Sequence, residues 1–248
     1  MGIFSIFKKK EKLPPFDFSV LQCDIHSHLI PGIDDGSKSL EDSINMLRDF
    51  EAMGYRKVVT TPHIMSDYYK NTPEIIRSGL DKVREEIAKQ NLNIEIEAAA
   101  EYYLDEYFMA KIKAKDILTF GDNYVLFELP FVAEPHALSE VIFELQMSGY
   151  KPVLAHPERY MYWFKEIEEK VEDLKNKGTL LQLNLLSLTG QYSPEVRKIA
   201  EKMVFNGWID FVGSDCHKIE HLQILQNLSG TKAFHHLKQL DLKNTSLI

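Results

Sequence analysis

Five histidines and four carboxylates of this chain recur in short, chemically rich stretches. They are His26 and His28 in D-I-H-S-H, Asp35 in the D-D-G that follows, His63 in T-P-H and Glu101 in A-E-Y-Y. Glu128 in F-E-L-P, His156 in A-H-P-E-R-Y, and Asp215 and His217 in S-D-C-H complete the set. The chemistry these types share is metal ligation. On an extended strand, side chains alternate with period two, so His-x-His sends both imidazoles to one side, where they can share an ion. Imidazole suits zinc, iron and manganese, and added carboxylates suit several ions joined by bridging oxygens. Nine candidates exceed what one tetrahedral ion takes and would serve two or three ions. Singly, His63 or His156 reads as a structural histidine and Glu101 as a solvated charge. Jointly the bland reading fails, because unpaired buried carboxylates are costly. His136, His221, His235 and His236 stand outside the pattern and read as surface residues.

The elements that must position these residues alternate. Val20–Ile25, Lys57–Thr61, Asn93–Ala98, Tyr124–Leu129, Pro152–Ala155, Thr179–Leu183 and Trp208–Gly213 read as apolar, β-branched strands. Helical periodicity falls at Ser39–Met53, Thr72–Gln90, Leu104–Ala114, Pro135–Met147, Tyr160–Lys177 and Pro194–Asn206, with Ser39 and Thr72 as N-caps and Pro73 at a first helical position. Strand-then-helix units in series imply a parallel sheet, since parallel strands need crossover connections. Seven such units favour a closed or distorted barrel over an open sheet. In a parallel barrel the strand ends open on one face, and the candidate ligands follow six of the seven strands, so they should converge there.

Length and charge bound the rest. A chain of 248 residues fits one α/β domain, residues 19–248, with 1–18 as an N-terminal arm. With 29 Lys and Arg against 37 Asp and Glu, it lacks the basic balance of a nucleic-acid binder. Two unpaired cysteines, Cys23 and Cys216, fit reduced thiols in a cytoplasmic protein. No apolar run reaches the roughly 18 residues of a membrane span. The lysines at 8–10 follow the apolar start rather than preceding it, which argues against a secretory signal. An apolar-plus-basic arm allows only a peripheral contact with the inner membrane face.

The motifs, in this order over about residues 20–225, resemble the polymerase and histidinol phosphatase (PHP) superfamily. Within it, they are most similar to the bacterial manganese-dependent tyrosine-protein phosphatases of capsule and exopolysaccharide operons. The resemblance implies a distorted (βα)7 TIM-like barrel holding three divalent ions, manganese first, with iron or zinc as alternatives. It puts the ligands on His26, His28, Asp35, His63, Glu101, Glu128, His156, Asp215 and His217, with one carboxylate bridging. It makes Arg159 a phosphate clamp, as guanidinium pairs bidentately with phosphate. The implied reaction is attack of metal-bound hydroxide on a phosphotyrosine, with the tail of a bacterial tyrosine kinase as the implied partner. One departure is visible: many relatives carry a second arginine soon after S-D-x-H, where this chain has Lys218-Ile-Glu-His-Leu222. Lys218 offers a point charge without the bidentate fork. A cysteine-phosphatase loop, C-x5-R, is not met at Cys216, which Leu222 follows six residues on. The competing readings are a small-molecule phosphomonoesterase of the histidinol phosphatase kind, and a non-catalytic, metal-dependent kinase-binding scaffold.

Overall fold

In the computed structural model of the chain, residues 13–248 are described. Among the described residues there are nine short strands and eight α-helices, in a largely alternating order. The strands are β1 Cys23–Asp24, β2 Lys57–Thr60, β3 His63–Ile64, β4 Glu95–Ala98, β5 Glu101–Tyr103, β6 Tyr124–Glu128, β7 Lys151–Ala155, β8 Leu180–Asn184 and β9 Phe211–Gly213. The helices are α1 Leu40–Ala52, α2 Pro73–Lys89, α3 Glu106–Ala114, α4 Leu138–Met147, α5 Ile167–Asn176, α6 Pro194–Phe205, α7 Ile219–Leu228 and α8 Lys232–His236.

Every strand pair is parallel, in the orders β1-β2-β4 and β3-β5-β6-β7-β8-β9. The two sheets are one surface. β3 continues β2 past Pro62, which has no N–H to give a ladder, and β5 continues β4 past Ala99 and Ala100. Ala99 N donates to Thr60 O (2.9 Å) and Glu101 N to Pro62 O (3.1 Å), carrying the pairing across both breaks. The far edges meet through a parallel bridge, Ser27 to Cys216, with His28 N donating to Cys216 O (2.9 Å) and Asp215 N to His26 O (2.7 Å). The result is a closed, distorted barrel of seven strand paths in a single domain, as the alternation predicted.

Two apolar layers follow from the period-two rule. Ile25, Val59, Ala99, Leu126, Val153 and Phe211 fill the barrel interior, while Val58, Val125, Phe127, Leu154 and Val212 face the helices. The interior positions are continued two residues on by the chemistry. Ala99 is followed by Glu101, Leu126 by Glu128, and Val59 by Thr61 and then His63. Helix caps are the expected ones: Ser39 accepts from Asp42 N (3.1 Å) and Thr72 from Ile75 N (3.4 Å).

Some boundaries differ from expectation. The strand read from Val20 starts at Cys23, because Phe18–Val20 forms a 3-10 turn behind an Asp17 cap. The helix read over Tyr160–Lys177 begins only at Ile167; Tyr160 and Trp163 are buried, and 161–163 is a 3-10 turn. Of the expected arm, residues 1–12 lie outside the described residues. Phe16 and Phe18 are core side chains, packed on Phe234 and Tyr55. The C-terminal stretch closes the other end of the barrel. Asn244, fully buried, accepts from Val212 N and donates to Cys23 O and Val212 O, and Leu247 joins the interior layer.

Candidate metal centre

The C-terminal strand ends bring all nine expected ligands together. Their ligand atoms form four overlapping groups, each with atoms within 4.8 Å of one another: His28, Asp35, His63 and His217; His26, His28 and Glu101; His26, His156 and Asp215; His63, Glu101 and Glu128. Glu101 is central. Its Oε2 lies 3.1 Å from His26 Nε2, 3.5 Å from His28 Nε2 and 3.2 Å from His63 Nδ1, and its Oε1 lies 3.1 Å from His156 Nε2. His63 spans two groups, with Nδ1 also 3.3 Å from Glu128 Oε1 and Nε2 3.5 Å from Asp35 Oδ1.

Outer contacts fix the rings. His26 Nδ1 donates to Gln182 Oε1 (2.9 Å), His28 Nδ1 to Asp34 Oδ2 (2.8 Å) and His217 Nδ1 to Asp215 O (2.9 Å). Each bond assigns the Nδ1 tautomer and leaves Nε2 pointing at the carboxylates, the arrangement metal-binding histidines use. Backbone geometry contributes as well. His156 (φ 35°) and Asp215 (φ 52°) sit in the left-handed region, uncommon for residues with a Cβ, at two of the strand ends. Gly36 of D-D-G has to be glycine, since a Cβ there would meet His28 Cβ and O at 2.3 Å.

The donor set fits divalent ions. Among the described residues, His26 Nε2, His28 Nε2, His63 Nδ1 and Glu101 Oε2 are buried without a hydrogen-bond partner. Buried polar atoms are normally satisfied, so three imidazole nitrogens set 3.1 to 3.5 Å from one orphaned carboxylate oxygen ask for a shared cation. Electrostatics says the same. Burial pushes the His26 imidazolium down, but the Glu101 and Asp215 carboxylates outweigh it and hold it up at about 9. His63 is raised to about 10 against its burial by Glu101 and Glu128, and His217 to about 9 by Asp215 and Asp35. His28 goes the other way, to about 4, from burial and the neighbouring His217. Without ions the carboxylates hold protons where metal charge would stand.

Sequence reading missed the end of the sixth strand path. Asn184 Nδ2 donates to Asp215 Oδ2 (2.7 Å), Tyr192 OH lies 3.3 Å from the same oxygen, and Arg159 Nη1 is 2.9 Å away. These three hold Oδ2 and leave Oδ1 for the histidines. The signal was there: Gln182 and Asn184 are polar residues inside an apolar strand. Glu158, fully buried, accepts from Asn184 N (3.0 Å) and Ser187 Oγ (2.7 Å), tying A-H-P-E-R-Y to the same strand end. Asp24 accepts from Ser214 N and Oγ and joins the first strand to the last. His221, read as surface, is half-buried at 6.0 Å from the His217 ring, one helical turn on. His136 is exposed, and His235 binds Pro14 O. Arg159 lies beside the centre with its guanidinium 4.3 Å from the Tyr192 ring and 4.9 Å from Phe131. Lys218 is exposed and lines, with Lys38, a hollow of about 400 Å³ next to Asp35 and His217. Cys216 is fully buried, its Sγ 3.6 Å from Met46 Sδ, and burial raises its thiol well above the ordinary value.

Fold and site together define a TIM-type α/β barrel with a cluster of histidines and carboxylates fit for metal binding at its C-terminal mouth. Residues 22–224 match the family described as "Capsular polysaccharide synthesis, CpsB/CapC". The chain belongs to that family. It is 30% identical over 230 residues to CapC of Staphylococcus aureus, covering 91% of this chain and 90% of that one. It is 31% identical over 201 residues to the tyrosine-protein phosphatase YwqE of Bacillus subtilis, covering 79% of this chain and 78% of YwqE. A crystal structure from work on YwqE and on CpsB of Streptococcus pneumoniae, described there as unique metal-dependent tyrosine phosphatases, superposes with a TM-score of 0.77. Its identity is 28%, over 91% of this chain and 93% of that one.

Proposed function

We propose that this protein is a metal-dependent protein-tyrosine phosphatase of the PHP type, acting on a phosphotyrosine-bearing protein of polysaccharide synthesis. The observation that carries the reading is the convergence of nine candidate ligand side chains, five with orphaned buried atoms, beside one guanidinium. Three divalent ions, manganese before iron or zinc, are the loading that four overlapping groups suggest. His28, Asp35, His63 and His217 would hold one; His26, His156 and Asp215 another; Glu128 with His63 a third, and Glu101, which reaches His26, His28, His63 and His156, would serve the sites beside it. When bound, such ions acidify water near neutral pH and neutralise charge on phosphoryl oxygens.

The chain's own groups do the rest. Arg159 stays charged beside Asp215 and has its remaining N–H groups to offer the phosphoryl oxygens, as the planar fork suits. Asn184 and Tyr192 keep Asp215 in place as Arg159 engages substrate. Cys216 takes no part: its thiol is buried in the helix-facing core and held protonated, so a cysteinyl-phosphate route has no nucleophile. The leaving phenolate has an ordinary pKa near 10, so the demand for a general acid is modest. The partner consistent with the family is the tyrosine-rich tail of a capsule-synthesis tyrosine kinase, met at the inner membrane face.

The test is metal analysis of the purified protein combined with hydrolysis of a phosphotyrosyl peptide under chelator and after re-addition of manganese, iron or zinc. The reading expects activity lost to chelator and restored by metal. Turnover that survives complete metal removal, or a fully loaded protein inert to phosphotyrosine but active on histidinol phosphate, overturns it.

A further inference from the structure

The loop after β6 sets Phe131 on the rim of the centre with 42% of its surface exposed. Its ring stacks on the His156 imidazole at 5.7 Å and 21°, and the Arg159 guanidinium lies 4.9 Å from its centroid. The loop is anchored there. Leu129 N donates to Tyr160 OH (2.8 Å), Tyr162 OH donates to Pro130 O (3.0 Å), and Phe131 packs on Tyr160 at 5.5 Å. One part of this ring is thus committed to the site's own groups, and the remainder is open to water. Val132 and Met161, both exposed on the same two loops, extend the apolar lip outward.

We infer that Phe131 determines specificity for the leaving group, as an aromatic platform for the phenol ring of a phosphotyrosine. The inference rests on the phosphatase reading above and adds the residue that selects an aryl ester. A phosphoryl group held by Arg159 and the centre must direct its ester oxygen and ring out of the mouth. Of the two rings on the Arg159 guanidinium, Tyr192 has its hydroxyl turned to Asp215, and Phe131 is the one that also stacks on His156. Offset or edge-to-face ring pairs form at centroid separations of about 4.5–7 Å. Phosphoserine and phosphothreonine have no ring to place there, and inorganic phosphate uses only the polar groups.

The experiment takes the metal-loaded protein as wild type, Phe131→Ala, Phe131→Leu and Phe131→Tyr. It measures KM for a phosphotyrosyl peptide, the inhibition constant of inorganic phosphate, and metal content. Phe131→Ala and Phe131→Leu are expected to raise KM about two- to twelvefold, the worth of one aromatic pair (about 0.5–1.5 kcal/mol) at about 1.4 kcal/mol per factor of ten. Phe131→Tyr should restore the wild-type KM. The phosphate constant and metal content should stay unchanged throughout, which a merely structural role would not give. An unchanged KM in Phe131→Leu, or equal rises in KM and the phosphate constant, overturns the platform alone. A metal-loaded wild type that binds phosphate yet leaves the phosphotyrosyl peptide intact sinks the phosphatase reading and the platform with it.

Discussion

Loading the centre with metal should expel protons, and the structure sets how many. His26, His63 and His217 are held at about 9, 10 and 9 by the carboxylates around them, so at pH 7 all three are almost fully protonated when no ion is present. His28, lowered to about 4, is already neutral. A ligand nitrogen must give up its proton to bind metal. Full loading at pH 7 should therefore release about three protons per chain, and the affinity for the full complement should rise steeply between pH 7 and 9. The assay is titration of metal-free protein with Mn²⁺ by calorimetry in buffers of different ionisation enthalpy, with a weakly buffered pH-stat as a check. Stability gives a second reading with the opposite sign. In the metal-free protein, the three raised histidines contribute stability that is complete below about pH 6.5 and lost as pH climbs through 9 to 10. His28 contributes stability present above about 6.5 and lost as pH falls toward 4. Release of fewer than one proton at pH 7 would refute the reasoning, because it would mean the carboxylates do not hold these imidazoles charged.

Three further outcomes follow from contacts. Asp34→Ala strands the buried Nδ1 of His28 and frees Gly36 N and His63 N, so metal affinity should drop about 10- to 100-fold in a competitive chelator titration. Arg159→Ala removes a charge-assisted phosphate contact worth about 1.5–3 kcal/mol, so kcat/KM for a phosphotyrosyl peptide should fall about 10- to 150-fold at full metal loading. Arg159→Lys should recover little of it, lacking the fork; an unchanged kcat/KM in the alanine variant removes Arg159 from substrate binding. Cys216→Ala should lower the melting temperature yet keep turnover at unchanged metal content, because the thiol is buried against Met46. Turnover abolished with the metal retained would argue for a cysteine nucleophile after all.

The sequence by itself determined which nine side chains meet and the face on which they meet. A side chain two residues beyond an interior strand position must face the interior too. That local rule carries Ala99 to Glu101 and Leu126 to Glu128, and parallel topology then puts the strand ends on one mouth. It also fixed the caps at Ser39 and Thr72, since those are bonds within a single turn. What only the tertiary structure decided lies in contacts between strands far apart in the chain. Asp215 is held by Arg159, Asn184 and Tyr192 from two other strand ends, 56, 31 and 23 residues away, and no spacing encodes that meeting. The break at Ala99–Ala100 has no proline to announce it and shows only where β4 passes its pairing on to β5. The left-handed backbone at His156 and Asp215 persists because surrounding contacts hold it. Phe16 and Phe18 read as part of an N-terminal arm because their partners, Phe234 and Tyr55, come from the other end of the chain and the start of the second strand path. Residue type and local period are readable along the chain, whereas the burial that gives a side chain its partners exists only once the barrel closes.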